Sequence, residues 1–140
     1  MGRKRKRKHR APEQRSGPKE RSTSRASLVL AIVETDATFN AIVHPRTGEA
    51  CWAGRCIHCS AQLIVDLDGS TAATVEHLVP LCGGGAAADP RNLALACGGC
   101  NNEKGIRHDR RAGRGGRADE VIAALLARRA ARWREPGAGR

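Results

Sequence analysis

Two Cys-x-x-Cys turns, Cys56 with Cys59 and Cys97 with Cys100, carry the strongest chemical signal in this chain. Each turn presents two sulfurs to one point, and four thiolates at about 2.3 Å make the tetrahedral shell that zinc prefers. Such a closed shell leaves no open coordination position, so one structural Zn²⁺ per chain is expected, building the fold rather than reacting. Cys51 and Cys82 fall outside this pattern and read as packing residues or incidental thiols. His58, inside the first turn, reads as solvent-facing.

Between the pairs lie Glu76 and His77, then Asn92, and Asn101 follows the last of the four cysteines directly. A Glu-His pair taken alone is more often structural than functional; its company changes that balance. A helix beginning at the second cysteine turn would hold Asn101 in place, so the zinc would also clamp a potential ligand.

These residues need elements to carry them. Residues 61–68 (AQLIVDLD) and 71–77 (TAATVEH) read as two strands joined by a tight turn at Gly69 and Ser70. Leu78 to Ala88 is loop, because three consecutive glycines admit backbone angles that other residues avoid. Asp89 can cap a short helical turn with Pro90 at its first position. The next helix should start between Cys97 and Asn101 and carry Lys104 before Gly105 interrupts it. Upstream, Ser27 can cap a helix from Leu28 to about Thr38, and His44, Pro45 and Gly48 mark a turn.

The whole stretch resembles the HNH nuclease family, whose motif combines Cys-x-x-Cys, an acid-His pair followed by a proline and a glycine-rich loop, a central Asn-Leu, and Cys-x-x-Cys-(His/Asn)-x-x-Lys-Gly. The matching residues are Cys56, Cys59, Glu76, His77, Pro80, Gly83, Gly84, Asn92, Leu93, Cys97, Cys100, Asn101, Lys104 and Gly105. The resemblance implies an α+β fold with a small ββα-metal (His-Me finger) core and zinc knuckles. It also implies a metal-dependent endonuclease acting on DNA phosphodiester bonds by a one-metal mechanism, with RNA a further candidate substrate. His77 would be the general base. Glu76 and Asn101 would supply oxygen ligands to one Mg²⁺ or Mn²⁺. Asn92 would hold the loop and orient His77, and Lys104 and Arg107 would contact phosphate. The chain departs from the family at two places: Glu76 stands where Asp is frequent, and Asn101 where His is an option. The alternative is a zinc-stabilised module that grips nucleic acid without cutting it.

Charge distribution fits a polyanionic partner. Formal net charge is +11. Residues 1–27 carry 11 Lys/Arg against 2 acids, residues 28–105 carry 4 against 8, and residues 106–140 carry 10 against 4. Two basic ends thus flank a mildly acidic centre able to attract a cation. Residues 1–26 have almost no apolar content and read as a disordered basic arm. The nuclease domain is expected over 27–108 with its core motif at 56–105, a Gly/Arg-rich flexible link over 109–117, and a basic amphipathic helix over 118–135. On that helix Arg128, Arg129, Arg132 and Arg134 are candidate phosphate contacts. Aromatic residues are about 2%, so the core must be aliphatic and small, which a metal brace would help. No apolar run approaches the roughly 18 residues that cross a bilayer, and no secretory signal is evident. The expected location is a reducing cytoplasm, bacterial or phage, with the protein on nucleoid DNA and no evident protein partner.

Overall fold

The computed structural model describes residues 24–137. Most of the expected basic arm therefore lies outside the described residues, and its end belongs to a helix. That helix, α1, spans Arg25–Thr35. It begins at Arg25 rather than Leu28 because Ser24 is the cap: its hydroxyl accepts from the Ser27 amide at 3.2 Å. It stops at Thr35 rather than Thr38 because the Asp36 carboxylate turns the chain, accepting from the Thr38 amide at 2.8 Å and the Thr38 hydroxyl at 2.7 Å. Val29, Ile32 and Val33 bury one face of α1, the spacing of an amphipathic helix.

Strands β1 (Asn40–Val43), β2 (Ala50–Arg55) and β3 (Gln62–Asp66) form an antiparallel sheet in that order. The turn at His44, Pro45 and Gly48 joins β1 to β2, with the His44 amide donating to the Glu49 carbonyl at 2.8 Å. Gly54 is required within β2, since a Cβ there would sit 2.4 Å from the buried Phe39 ring.

β4 (Thr74–His77) pairs antiparallel with β5 (Leu93–Ala96), placing His77 opposite Leu93 and Glu76 opposite Ala94. The sequence predicts 61–68 and 71–77 as partners in one hairpin; they instead belong to different sheets. The turn at Gly69 does form, with the Asp66 amide donating to the Ser70 carbonyl at 2.9 Å. It only closes the end of β3, and the chain then crosses to pair with β5, whose four residues are all buried. Burial on both faces stabilises this strand although Leu and Ala favour strands weakly.

Asp89 caps the 3-10 turn Pro90–Asn92 as expected, its carboxylate accepting from the Arg91 amide at 2.9 Å. Helix α2 covers Gly98–Arg107, with Gly105 inside it rather than ending it. The ββα unit is therefore β4, β5 and α2, joined by the glycine-rich loop, within a mixed α+β fold. Helix α3 covers Arg117–Ala131 and ends short of residue 135. Its trailing residues lock onto the end of α1: Arg134 donates its amide to the Thr35 carbonyl at 2.8 Å, and Trp133 bridges Asp36. The stretch expected as a flexible link is tied down by Asp119, which accepts from the Gly113 amide at 2.6 Å and the Gly115 amide at 2.5 Å. Val29, Ile32, Phe39, Ile57, Leu78, Leu93, Leu95 and Leu125 form one core, none more than 3% exposed. Among the described residues no helix is long and apolar enough to cross a membrane.

Candidate active site and metal centre

The first cysteine turn leaves β2, and the second opens α2, with Cys97 as its N-cap residue. The four sulfurs of Cys56, Cys59, Cys97 and Cys100 all lie within 4.8 Å of one another. Cys97 is 3.9 Å from Cys56 and 3.8 Å from Cys59, sulfur to sulfur. A tetrahedron with bonds of about 2.3 Å has edges of about 3.8 Å, so the cluster has the size of a zinc-tetrathiolate shell. Ser60 closes the first turn with a φ of +60°, and its amide donates to the Cys56 carbonyl at 3.1 Å.

The amides of His58 and Cys97 each donate to the Cys56 sulfur at 3.4 Å. Burial alone would raise the Cys56 thiol, but hydrogen bonds from the Cys59, Cys97 and His58 amides and the Cys59 side chain outweigh it and bring it down to about 7. Cys100 moves the other way, pushed up by its hydrogen bond with the Cys97 side chain, by burial and by the neighbouring sulfurs. Cys56 is thus eased toward the thiolate, while Cys100 holds a proton that a bound cation would displace. Cys51, buried, and Cys82, exposed, stand outside the cluster.

Asn92 is 8% exposed and uses its whole amide on the glycine-rich loop. Its Oδ1 accepts from the Val79 amide at 2.8 Å, while Nδ2 donates to the carbonyls of Val79 at 3.0 Å and Ala86 at 3.1 Å. The loop is packed so closely that a Cβ on Gly85 would fall 1.8 Å from the Val79 carbonyl oxygen. Next in the chain, the Ala87 carbonyl meets His77 Nε2 at 3.0 Å.

Glu76 points into the protein. It is 1% exposed, with Oε2 at 2.5 Å from His58 Nε2 and Oε1 at 3.5 Å from Lys104 Nζ. Lys104, expected on phosphate, is itself buried: its ammonium donates to the His77 carbonyl at 3.1 Å and to Asp109 Oδ1 at 2.5 Å. It therefore ties α2 to the end of β4 and compensates two carboxylates. His58, expected in solvent, is only 18% exposed and faces Glu76. His58 and Asp109 escape a reading of the sequence because their contacts join separate elements; a lysine near the end of α2 with an acid just beyond it is the one available hint.

Asn101 lines a hollow of about 440 Å³ with Asn102, Gly105, Ile106, Asp109 and Arg110. Among the described residues no hydrogen bond joins Asn101 to Glu76; Lys104 and Asp109 stand between the two positions. Glu76 Oε1 is the one buried side-chain oxygen or nitrogen among the described residues without a hydrogen-bond partner. A buried carboxylate oxygen in that state suits a hard cation, with the Lys104 ammonium 3.5 Å away and Asn101 in the adjoining hollow rather than beside it.

The arginines divide sharply. Arg129 is 1% exposed, donating from Nε to the Leu93 carbonyl at 2.7 Å and from its two other nitrogens to Thr35 and Pro90. Burial lowers its pKa, with Asp36 acting in the opposite sense. Arg128 donates to the Ile57 carbonyl at 2.6 Å, Arg132 to the Arg55 carbonyl at 3.2 Å, and Arg134 to the Val33 carbonyl at 2.8 Å. These side chains knit α3 to the rest of the fold, and the expectation that Arg129 meets phosphate is corrected by its burial. Arg107 remains at the surface, paired with Glu103 at 3.1 Å. With His108, Arg111 and Arg117 it lines a separate hollow of about 590 Å³.

Residues 56–107 match the family of HNH endonucleases. No curated protein and no solved structure matches the chain.

Proposed function

We propose that this protein, whose residues 56–107 match the HNH endonuclease family, hydrolyses DNA phosphodiester bonds with His77 as general base and a structural zinc on Cys56, Cys59, Cys97 and Cys100. The carrying observation is the chain of contacts that sets the His77 ring. Asn92 pins Ala86, and the adjacent Ala87 carbonyl accepts from Nε2–H, which leaves the Nδ1 lone pair to take a proton. As that proton leaves water, the water oxygen bonds to phosphorus and the bond to the sugar oxygen breaks. Glu76 and Asn101 are the residues that would hold Mg²⁺ or Mn²⁺, which when bound supplies polarisation of the phosphate and stabilisation of the leaving oxygen. Lys104 keeps the Glu76 and His77 positions together from α2.

DNA reaches the site along the exposed arginines of residues 107–117. Arg107, Arg111 and Arg117 line one hollow and Arg110 the neighbouring one beside Asn101, with Ile106 common to both. Asp109 and Asp119 are occupied by Lys104 and by loop amides, while Arg107 and Arg117 pair with Glu103 and Glu120 at the exposed surface, where phosphate can compete.

A second reading, a module that binds nucleic acid without cutting it, draws on the burial of Glu76 against Lys104 and His58. The deciding experiment incubates the full chain with supercoiled, linear and single-stranded DNA and with RNA across Mg²⁺ and Mn²⁺. Divalent-dependent DNA cleavage is expected; binding without cleavage under every metal would favour the module.

A further inference from the structure

Each cysteine turn sends a side chain to Glu76. Lys104, one turn of α2 beyond Cys100, faces Oε1, and His58, between Cys56 and Cys59, meets Oε2. The His58 contact is the shorter, 2.5 Å against 3.5 Å, and it bridges 18 residues of sequence. Its backbone has little freedom. The His58 amide donates to the Cys56 sulfur, the preceding Ile57 amide donates to the Leu95 carbonyl at 3.1 Å, and Arg128 donates to the Ile57 carbonyl at 2.6 Å. Cysteine cluster, β5 and α3 thus all hold the turn from which this ring projects.

We propose that His58 is a positioning residue for Glu76, carrying the rigidity of the zinc knuckle to the carboxylate of the reacting centre. A carboxylate is planar, so holding Oε2 on a ring that projects from a pinned turn also sets the direction of Oε1. Oε1 is the oxygen left without a hydrogen-bond partner, with the Lys104 ammonium 3.5 Å away, and so the one a metal cation would meet. His58 neither replaces a cysteine in the cluster nor touches the reacting atoms. It explains how an ion with no open coordination position can matter to a reaction beyond holding the domain folded. The role in cleavage rests on the nuclease reading; the effect on Glu76 does not.

The test compares His58→Leu, which keeps bulk but removes the donor, with His58→Gln, whose amide nitrogen reaches the place of Nε2. Three readouts are taken: zinc per chain, DNA cleavage as kcat and KM, and Mn²⁺ binding by calorimetry in the His77→Ala background. The expected result for H58L is one zinc per chain, a fall in kcat of about 10- to 100-fold at little change in KM, and Mn²⁺ affinity weakened by a similar factor. H58Q should recover most of both losses. Unchanged kcat and Mn²⁺ affinity in H58L would overturn the proposal, and so would losses that track zinc content or that H58Q fails to recover. If wild type does not cut but binds Mn²⁺ more tightly than H58L, the nuclease reading fails while the positioning role stands.

Discussion

In the proposed reaction the chemistry at His77 depends on which ring nitrogen holds the proton, and the Ala87 carbonyl that faces Nε2 follows directly on the Ala86 carbonyl that Asn92 holds. Asn92→Ala should therefore act twice. It removes the three hydrogen bonds by which the buried Asn92 side chain holds the loop, at a cost of about 1–3 kcal/mol seen as a lower Tm. It should also cut kcat about 10- to 100-fold, more than the stability loss explains at temperatures where the variant is folded. At the cysteines, ligands must shed protons to bind. Cys56 is brought down to about 7 and Cys100 is pushed up, so zinc affinity should fall as pH drops through 7, with proton release on rebinding. A pH-independent affinity in a chelator competition would contradict this. The motif letters Glu76, His77, Asn92 and the cysteines are legible because each is defined by its neighbours in sequence. Lys104 is legible as a residue and not as a role, because whether a lysine on a short helix faces phosphate or a buried carboxylate depends on how that helix lies on β4.

Among the elements, the helices and turns follow from local signals, since capping by Ser24 or Asp89 is decided within a few residues. Strand pairing does not. β3 and β4 are neighbours in sequence separated by a real turn, yet the buried face of β5 captures β4 and leaves β3 to β2. β5 is silent in the sequence because LALA carries no alternation, being buried throughout. Gly54 marks where the first sheet meets Phe39. Gly54→Ala should destabilise by about 1–3 kcal/mol through overpacking, read as a lower Tm with zinc retained. α3 is fastened by Arg129, whose removal takes away hydrogen bonds to the Leu93, Thr35 and Pro90 carbonyls and to the Thr35 hydroxyl. Arg129→Ala should cost about 3 kcal/mol or more, while the salt dependence of DNA binding stays as in wild type. A steeply reduced salt slope in a folded variant would return Arg129 to the DNA face.

For the whole molecule, basic ends around an acidic centre are plain in the composition, but which arginines stay free for a partner is not. Arg128, Arg129, Arg132 and Arg134 donate to backbone carbonyls, while Arg110 lines the hollow with Asn101 and Arg107, Arg111 and Arg117 line the neighbouring one. Replacing Arg110, Arg111 and Arg117 together with Gln should weaken DNA binding and flatten its salt dependence, by roughly one slope unit for each phosphate no longer neutralised, with little effect on Tm. The fold, the cysteine cluster and the clamped loop converge on one imidazole, and the most direct measurement is made there. Supercoiled plasmid is incubated with wild type and His77→Ala in Mg²⁺ and in Mn²⁺, with zinc content and Tm recorded for both. Wild type should nick or linearise the plasmid, and the variant should keep its zinc and its fold and leave the plasmid supercoiled. Undiminished nicking by a folded, zinc-loaded His77→Ala would contradict the account.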